Sequence, residues 1–507
     1  MVSEQVRKNL FYNAISLIAY VFIGIFYTPY LVKNLGLSAY GVLPIALVIN
    51  QYVGVLTNSL TSALTRFYTI SIQNGNNHDA SKYLNTSFAA IFAIIVLLIL
   101  PLWFLLRNIE NIFSIPYGLV EASKLLFLFT VLSFFLSMFS SIFNIILYAI
   151  NRLDLLNIIN IVRVCGKFIL IISLFSIIDA DIKYVGLASL ITEVFLLFFS
   201  MWAFYRFSHE SITINWSHFN FIAFRSVAVM SVWTIVHQLG DMGVYRIDTL
   251  LVNIFWTSKE SAVLGAFGEL GNYIVMATTV FSSLFGPLIL AAYTKGDHSE
   301  VVELALDRSL SVGVLVAVLI GMVCGFSTII LKAWMNEEIV FYKNWLYIKL
   351  ALVPFYAAAG VFPFVSRARN KVRFPAIMTV VLGFFNFVLL YSIARFYGKS
   401  LDNVQIILVV GLFFGLAQGY FLNGLYFSKY YPGTRRDVLT NFLKILITLI
   451  ISFGIGLTFS PIIAVLPRLW IFLWIAIISI FMSIAFFKIM LNKRQLSGMI
   501  ELVYSKK

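Results

Sequence analysis

Two apolar stretches in the middle of the chain, 221–256 and 262–290, contain Asp241, Arg246, Asp248 and Glu269. Each is long enough to cross a bilayer as a helix, and the short polar turn Thr257-Ser258-Lys259-Glu260 joins them. A charge at the centre of a membrane helix costs roughly 2.5 to 3.5 kcal/mol by insertion scales, so such residues usually face a bundle interior or a wet cavity. His237, Asp241, Tyr245 and Asp248 follow steps of four, four and three, which predicts a single helical face. Arg246 falls on another face with Asn253, so this helix is polar on more than one side and belongs among other helices. Glu269 lies about as far from the turn as Arg246 does. An Arg246-centred network with Glu269 is expected, because buried charges are generally paired. Pairing does not preclude a role in a site, and Asn272, three residues beyond Glu269, is a further polar candidate.

A second set lies in the first half. Asn160, Arg163 and Lys167 are spaced by three and four and form a basic stripe. Glu193, on the next antiparallel segment, stands at the depth of Lys167, and a pair between them is expected. Positive charge in surplus facing an inner cavity attracts an anion such as a phosphate, with Arg as a planar bidentate donor and Lys as a point charge. Arg163 is equally open to a second reading, snorkelling toward the headgroups. Arg66 closes the second apolar segment, either as a cationic cavity residue or as a topology anchor. Asn50, Gln51 and Asn58 on that segment either line a sugar-accessible cavity or bind helices together.

Other chemistries find no footing. Gly398-Lys399-Ser400 resembles the end of a phosphate-binding loop, but Ile393 stands where that loop requires glycine. The five histidines show no metal-ligand spacing, and no GxSxG elbow occurs. Cys165 and Cys324 both lie in apolar segments, which indicates neither a disulfide framework nor a cysteine zinc site. No enzyme activity, metal or cofactor is called for.

The elements that must position these residues follow from composition. Of 507 residues, 61% are hydrophobic and 11% charged, against about 25% charged in a soluble domain. Lipid must solvate much of such a surface. Apolar runs of about 20 residues between short polar turns predict an all-α polytopic membrane protein with about fourteen crossings. The weak alternation of a β-barrel is absent. Lys and Arg concentrate on the side of the two termini, which predicts that both ends are cytoplasmic. Lys343 and Lys349 are among those assigned to the opposite side. This distribution accounts for the formal charge of +14 without nucleic acid. The N-terminus runs into a retained first span rather than a cleaved signal, and no loop is long enough to form a domain. Pro29, Pro44, Pro287, Pro354 and Pro363 sit in or near spans, as hinges or as ordinary membrane-helix prolines. A faint repeat links 30–41 with 250–265 at an offset of about 220 residues, which hints at internal duplication.

The stretch Tyr30-Leu31-Val32-Lys33-Asn34-Leu35-Gly36 followed by Tyr40-Gly41, the second span ending at Arg66, and Asp248 before Leu250-Leu251-Val252-Asn253 carry a resemblance. The chain resembles the Wzx-type oligosaccharide flippases of the multidrug/oligosaccharidyl-lipid/polysaccharide (MOP) exporter superfamily. The resemblance implies two six-helix lobes in a V around a central cavity, 1–210 and 211–430, plus two further spans and a cytoplasmic tail in 431–507. It implies a polyprenyl-pyrophosphate-linked oligosaccharide as cargo, moved by alternating access across a prokaryotic cytoplasmic membrane. On that reading Arg66, Arg163, Lys167 and Arg246 are cationic cavity candidates. Asn50, Gln51, Asn58, His237, Tyr245 and Asn272 are polar ones. Asp241, Asp248, Glu269 and Glu193 are candidates for coupling to a proton or sodium gradient. The protein is expected to act as a monomer amid membrane lipids, with polysaccharide polymerase machinery as a partner. The alternative is a cation-coupled multidrug exporter of the same superfamily; spans 13 and 14 and the Arg163/Lys167 stripe argue against it.

Overall fold

The computed structural model describes residues 2–208, 219–283, 285–335, 337–369, 371–396, 400–464 and 468–490. The expected boundary at 210/211, the tail beyond 490 and residues 398–399 of the glycine-lysine-serine stretch lie outside the described residues. The described residues form helices and turns, with no strand among them. Hydrocarbon offers the backbone no partners, and a helix satisfies its own. The protein is therefore an all-α polytopic membrane protein.

Its longer helices are α1 Val2–Leu35, α2 Val42–Gln73, α3 Asn77–Arg107, α4 Val120–Phe143, α5 Leu153–Ile177, α6 Ile182–Phe207 and α7 Phe221–Tyr245. The chain continues through α8 Ile247–Phe255, α9 Ser258–Ser283, α10 Phe285–Thr294, α11 His298–Gly325 and α12 Lys343–Ala351. It ends with α13 Arg373–Phe396, α14 Leu401–Leu416, α15 Arg435–Ile463 and α16 Arg468–Met490. Among the described residues, 13 helical stretches are long and apolar enough to cross a membrane. They coincide with all but the eighth of the expected spans. That region, 262–290, is occupied by α9 and α10. α9 is helical but carries Glu260, Glu269, Asn272 and several glycines, which dilute its apolar character.

Prolines act where they fall at helix starts. Pro354 and Pro363 sit in the first turns of the short helices Val353–Ala359 and Phe362–Ala368, so the stretch 338–368 is segmented. Pro29 lies inside an unbroken α1.

The chain divides into two compact units, Met1–Met242 with Thr249–Ala262 and Gly243–Asp248 with Val263–Lys507. In the first, the turn after α1 packs on the start of α9. A β-carbon added to Gly41 would stand 1.8 Å from the Ser258 carbonyl oxygen, so the residue there can have no side chain. These are the turns of the two faintly repeated segments. In the second unit α11 is the axis, most of its length being buried. It lies against α15 along a seam of small residues. A β-carbon on Gly325 would come within 2.6 Å of Gly456 Cα, and one on Gly321 within 2.6 Å of Ser452 Cβ. Between lipid-bathed helices close van der Waals contact replaces the hydrophobic drive, which favours such residues.

Gly325→Ala and Gly456→Ala should each lower stability by roughly 1–3 kcal/mol through overpacking. Gly454→Ala, on the same α15 with nothing within 4 Å of the added carbon, should leave it unchanged or slightly raised. Melting of the detergent-solubilised protein measures the difference; equal losses at 454 and 456 would dismiss the seam.

Candidate functional site

The second unit holds a cluster of four ionisable side chains, Arg246, Asp248, Glu269 and Lys349. The helix breaks at Arg246, so Tyr245 ends α7 and Asp248 opens α8. The break divides the single face expected for 237–248. His237 Nδ1 lies 3.1 Å from Asp241 Oδ2, one helical turn on, within the first unit. Tyr245 donates its hydroxyl proton to Gln418 Oε1, which the π-helical turn Ala417–Leu422 presents. Asp248 accepts a charge-assisted hydrogen bond from Lys349 Nζ, with side chains 9% and 16% exposed. Arg246 Nη2 donates to Asn272 Oδ1 at 2.9 Å, and Asn272 Nδ2 donates to Glu269 Oε1 at 3.3 Å. Gly268 lies beside the cluster: a β-carbon there would stand 3.8 Å from Lys349 Cε and 4.0 Å from Arg246 Nη1, at ordinary contact distance.

Arg246 and Glu269 thus share a network, as expected, with Asn272 between them. Lys349 is a correction. Assigned to an outer loop, it lies instead in α12, within the crossing 338–368. It is the partner that sequence reasoning missed for Asp248. The available signal was the buried run Leu346 and Leu350 flanking it at helical spacing. With two cations and two carboxylates, the cluster is balanced at formal charges.

The first unit is arranged differently. Arg163 Nε donates to Glu193 Oε1 at 2.6 Å, and Arg163 Nη1 donates to Asn160 Oδ1 at 3.1 Å. The expected Lys167–Glu193 pair is corrected: Arg163 takes the carboxylate. An antiparallel neighbour can present its side chain to either turn of α5, and helical spacing alone does not choose. Lys167 Nζ lies over the Tyr27 ring of α1, 5.6 Å from its centroid. Among the described residues no carboxylate lies within ion-pair distance of it. One cation is therefore in surplus on this face.

On α2, Asn50 donates to the Thr130 carbonyl of α4 at 3.5 Å, a helix-binding role. Among the described residues from 51 to 66, those exposed on α2 are Gln51, Asn58, Ser62 and Arg66. They follow one line along the helix and all are polar. The exposed positions of α3, by contrast, include Phe92, Val96, Leu97, Leu100 and Trp103. The α3 face suits lipid. A polar face of that length at membrane depth suits water.

Outside the spans, Asp297 caps α11. The Ser299 hydroxyl and the Glu300 N–H donate to it at 2.6 and 2.9 Å and hold its carboxyl below the usual range. Among the described residues, no group of three or more His, Cys, Asp or Glu side chains is arranged to hold a metal ion.

No family model matches the chain. It is 25% identical over 398 residues to the uncharacterized membrane protein EpsK of Bacillus subtilis (strain 168), a match that covers 76% of each protein. Among solved structures it is similar to the lipid II flippase MurJ in an inward closed conformation. The TM-score is 0.68 at 17% identity, over 95% of this chain and 98% of that one. An inward-facing multidrug resistance MATE family transporter of the MOP superfamily gives 0.64 at 14% identity, over 83% and 96%. The Vibrio cholerae MATE transporter VcmN in its bent form gives 0.56 at 15% identity, over 87% and 98%. At these identities the likeness establishes the fold alone, one shared with the solved MurJ and MATE structures.

Removing one partner of a buried ion pair strands the other charge. Asp248→Ala should lower stability by about 3 kcal/mol, and the double variant Asp248→Ala/Lys349→Met should recover most of it. If the double variant melts no higher than the single one, the stranded charge is not the source of the loss.

Proposed function

We propose that the protein is a flippase for a polyprenyl-pyrophosphate-linked oligosaccharide, such as an O-antigen, capsule or exopolysaccharide repeat unit. It carries this cargo by alternating access from the cytoplasmic to the outer leaflet of a prokaryotic cytoplasmic membrane, as a monomer with both termini in the cytoplasm. The observation that carries the reading is the pairing in the first unit. Glu193 neutralises Arg163 and leaves Lys167 without a carboxylate, beside Tyr27. A surplus cation at membrane depth is expensive to keep and favours an anionic visitor. The polar face Gln51, Asn58, Ser62 and Arg66 supports the same reading, since sugars need hydrogen-bonding walls and water. Arg246 stands in a balanced network, so we give it a structural role and assign cargo contact to Lys167 and Arg66.

We place ion coupling at Glu269. Glu193, Asp248 and Asp241 each contact Arg163, Lys349 or His237, whereas Glu269 accepts its hydrogen bond from the neutral amide of Asn272.

In proteoliposomes the wild type should translocate a fluorescent polyprenyl-pyrophosphate oligosaccharide. Lys167→Gln should weaken its binding about tenfold, as expected for one lost charge-assisted contact, at unchanged melting temperature. Translocation of cationic dyes but not of this lipid would decide for the multidrug exporter. Glu269→Gln should abolish acceleration by an imposed proton or sodium gradient while leaving cargo binding intact. A gradient response surviving in that variant would move coupling to another carboxylate.

A further inference from the structure

Apart from the membrane-depth clusters, the second unit has a cavity of about 670 Å³ at helix ends. Its wall comes from the start of α11, from Arg369 after helix Phe362–Ala368, and from the turn between helix Asn423–Tyr430 and α15. The Arg369 guanidinium lies over the Tyr430 ring at 4.3 Å from its centroid, with the Tyr431 ring at 5.6 Å and Tyr293 at 6.0 Å. Stacking occupies the faces of a guanidinium and leaves its in-plane N–H groups for oxygen acceptors.

Two donors of this wall lack partners. Arg369 Nε is buried with no hydrogen-bond partner among the described residues, and so is the Tyr431 hydroxyl. Tyr431 is only 7% exposed. A buried polar group without a partner is costly, and here the two residues that carry such groups line one cavity. An arginine can only donate, so the missing partner is an acceptor, and a negatively charged one also answers the charge of the guanidinium. The neighbourhood agrees with that sign. Lys371, Arg373, Lys429, Arg435 and Arg436 flank the two turns in sequence, and the N-terminal end of α11 adds the positive end of its dipole. Glu303 is the one carboxylate of the lining, and it interacts electrostatically with Arg308.

We propose that Arg369 and Tyr431 seat a phosphate-bearing anion at this place. The cavity is larger than a bare ion needs and falls within the range of small-molecule sites. Basic pockets between membrane helices near the surface are suited to anionic headgroups. A phospholipid headgroup and a soluble phosphate ester share the required chemistry.

The test is a thermal-shift titration of the detergent-solubilised full chain with short-chain phosphatidylglycerol, glycerol phosphate and neutral diacylglycerol. Wild type should be stabilised by phosphatidylglycerol and not by diacylglycerol. Arg369→Gln and Tyr431→Phe should each weaken the effect about tenfold. Glycerol phosphate matching phosphatidylglycerol identifies a soluble ligand, and phosphatidylglycerol acting alone identifies a lipid; both support the site. Equal stabilisation by diacylglycerol, no response to either phosphate compound, or wild-type affinity in Tyr431→Phe would overturn it. Tyr431→Phe keeps the ring and its packing on Phe427, so it carries the test if Arg369→Gln does not fold.

Discussion

An ionised side chain at membrane depth must be paired or reached by water, and the placement of charge in this protein follows from how each unit meets that condition. In the second unit the condition is met by pairing. Lys349 goes to Asp248, and Arg246 reaches Glu269 through Asn272. At the helix break Arg246 donates to Asn272, while Lys349 meets Asp248 two residues further on, so each cation has its own acceptor.

Packing follows the same economy. Lipid tails are as apolar as leucine, so helices in a bilayer gain little from merely touching and must fit closely. The α11–α15 seam reaches backbone contact at Gly325 and Gly456. The Gly41 contact with Ser258 does the same for a turn. Asn253, fully buried, accepts from the Ser114 N–H at 3.1 Å and fastens the loop before α4 to the end of α8. A polar atom that would be costly in lipid serves as a joint where it finds a partner, as Asn253 Oδ1 does.

Helical spans and their polar positions were legible in the sequence because both depend on local information: run length, and phase along one helix. The partners were not. Choosing between Arg163 and Lys167 for Glu193 requires the rotation of α6 against α5, a property of two helices together. Lys349 was read as a loop residue because apolar run length alone does not say where a helix begins inside a polar-flanked segment. The expected face from His237 to Asp248 failed for a related reason. Periodicity presumes a continuous helix, and the break at Arg246 resets it. The eighth span was visible as a helix, but its glycines and the polar Glu269 and Asn272 dilute the apolar signal that marks a crossing.

The balance of charge also bears on the choice between cargo classes. A site for cations gains from carboxylates that lack basic neighbours, yet Glu193, Asp248 and Asp241 are each held by a basic side chain, and Glu269 is tied to Arg246 through Asn272. What is left over in the first unit is Lys167, with an aromatic face instead of a carboxylate beside it. Cation–π contact satisfies an ammonium only in part, about 0.5–2 kcal/mol, and leaves its N–H donors free for oxygen ligands. A pyrophosphate supplies such oxygens and a compensating charge together, whereas an amphiphilic cation would add repulsion to a site already in surplus. The pairing inside the first unit therefore agrees in sign with the anionic cargo proposed above.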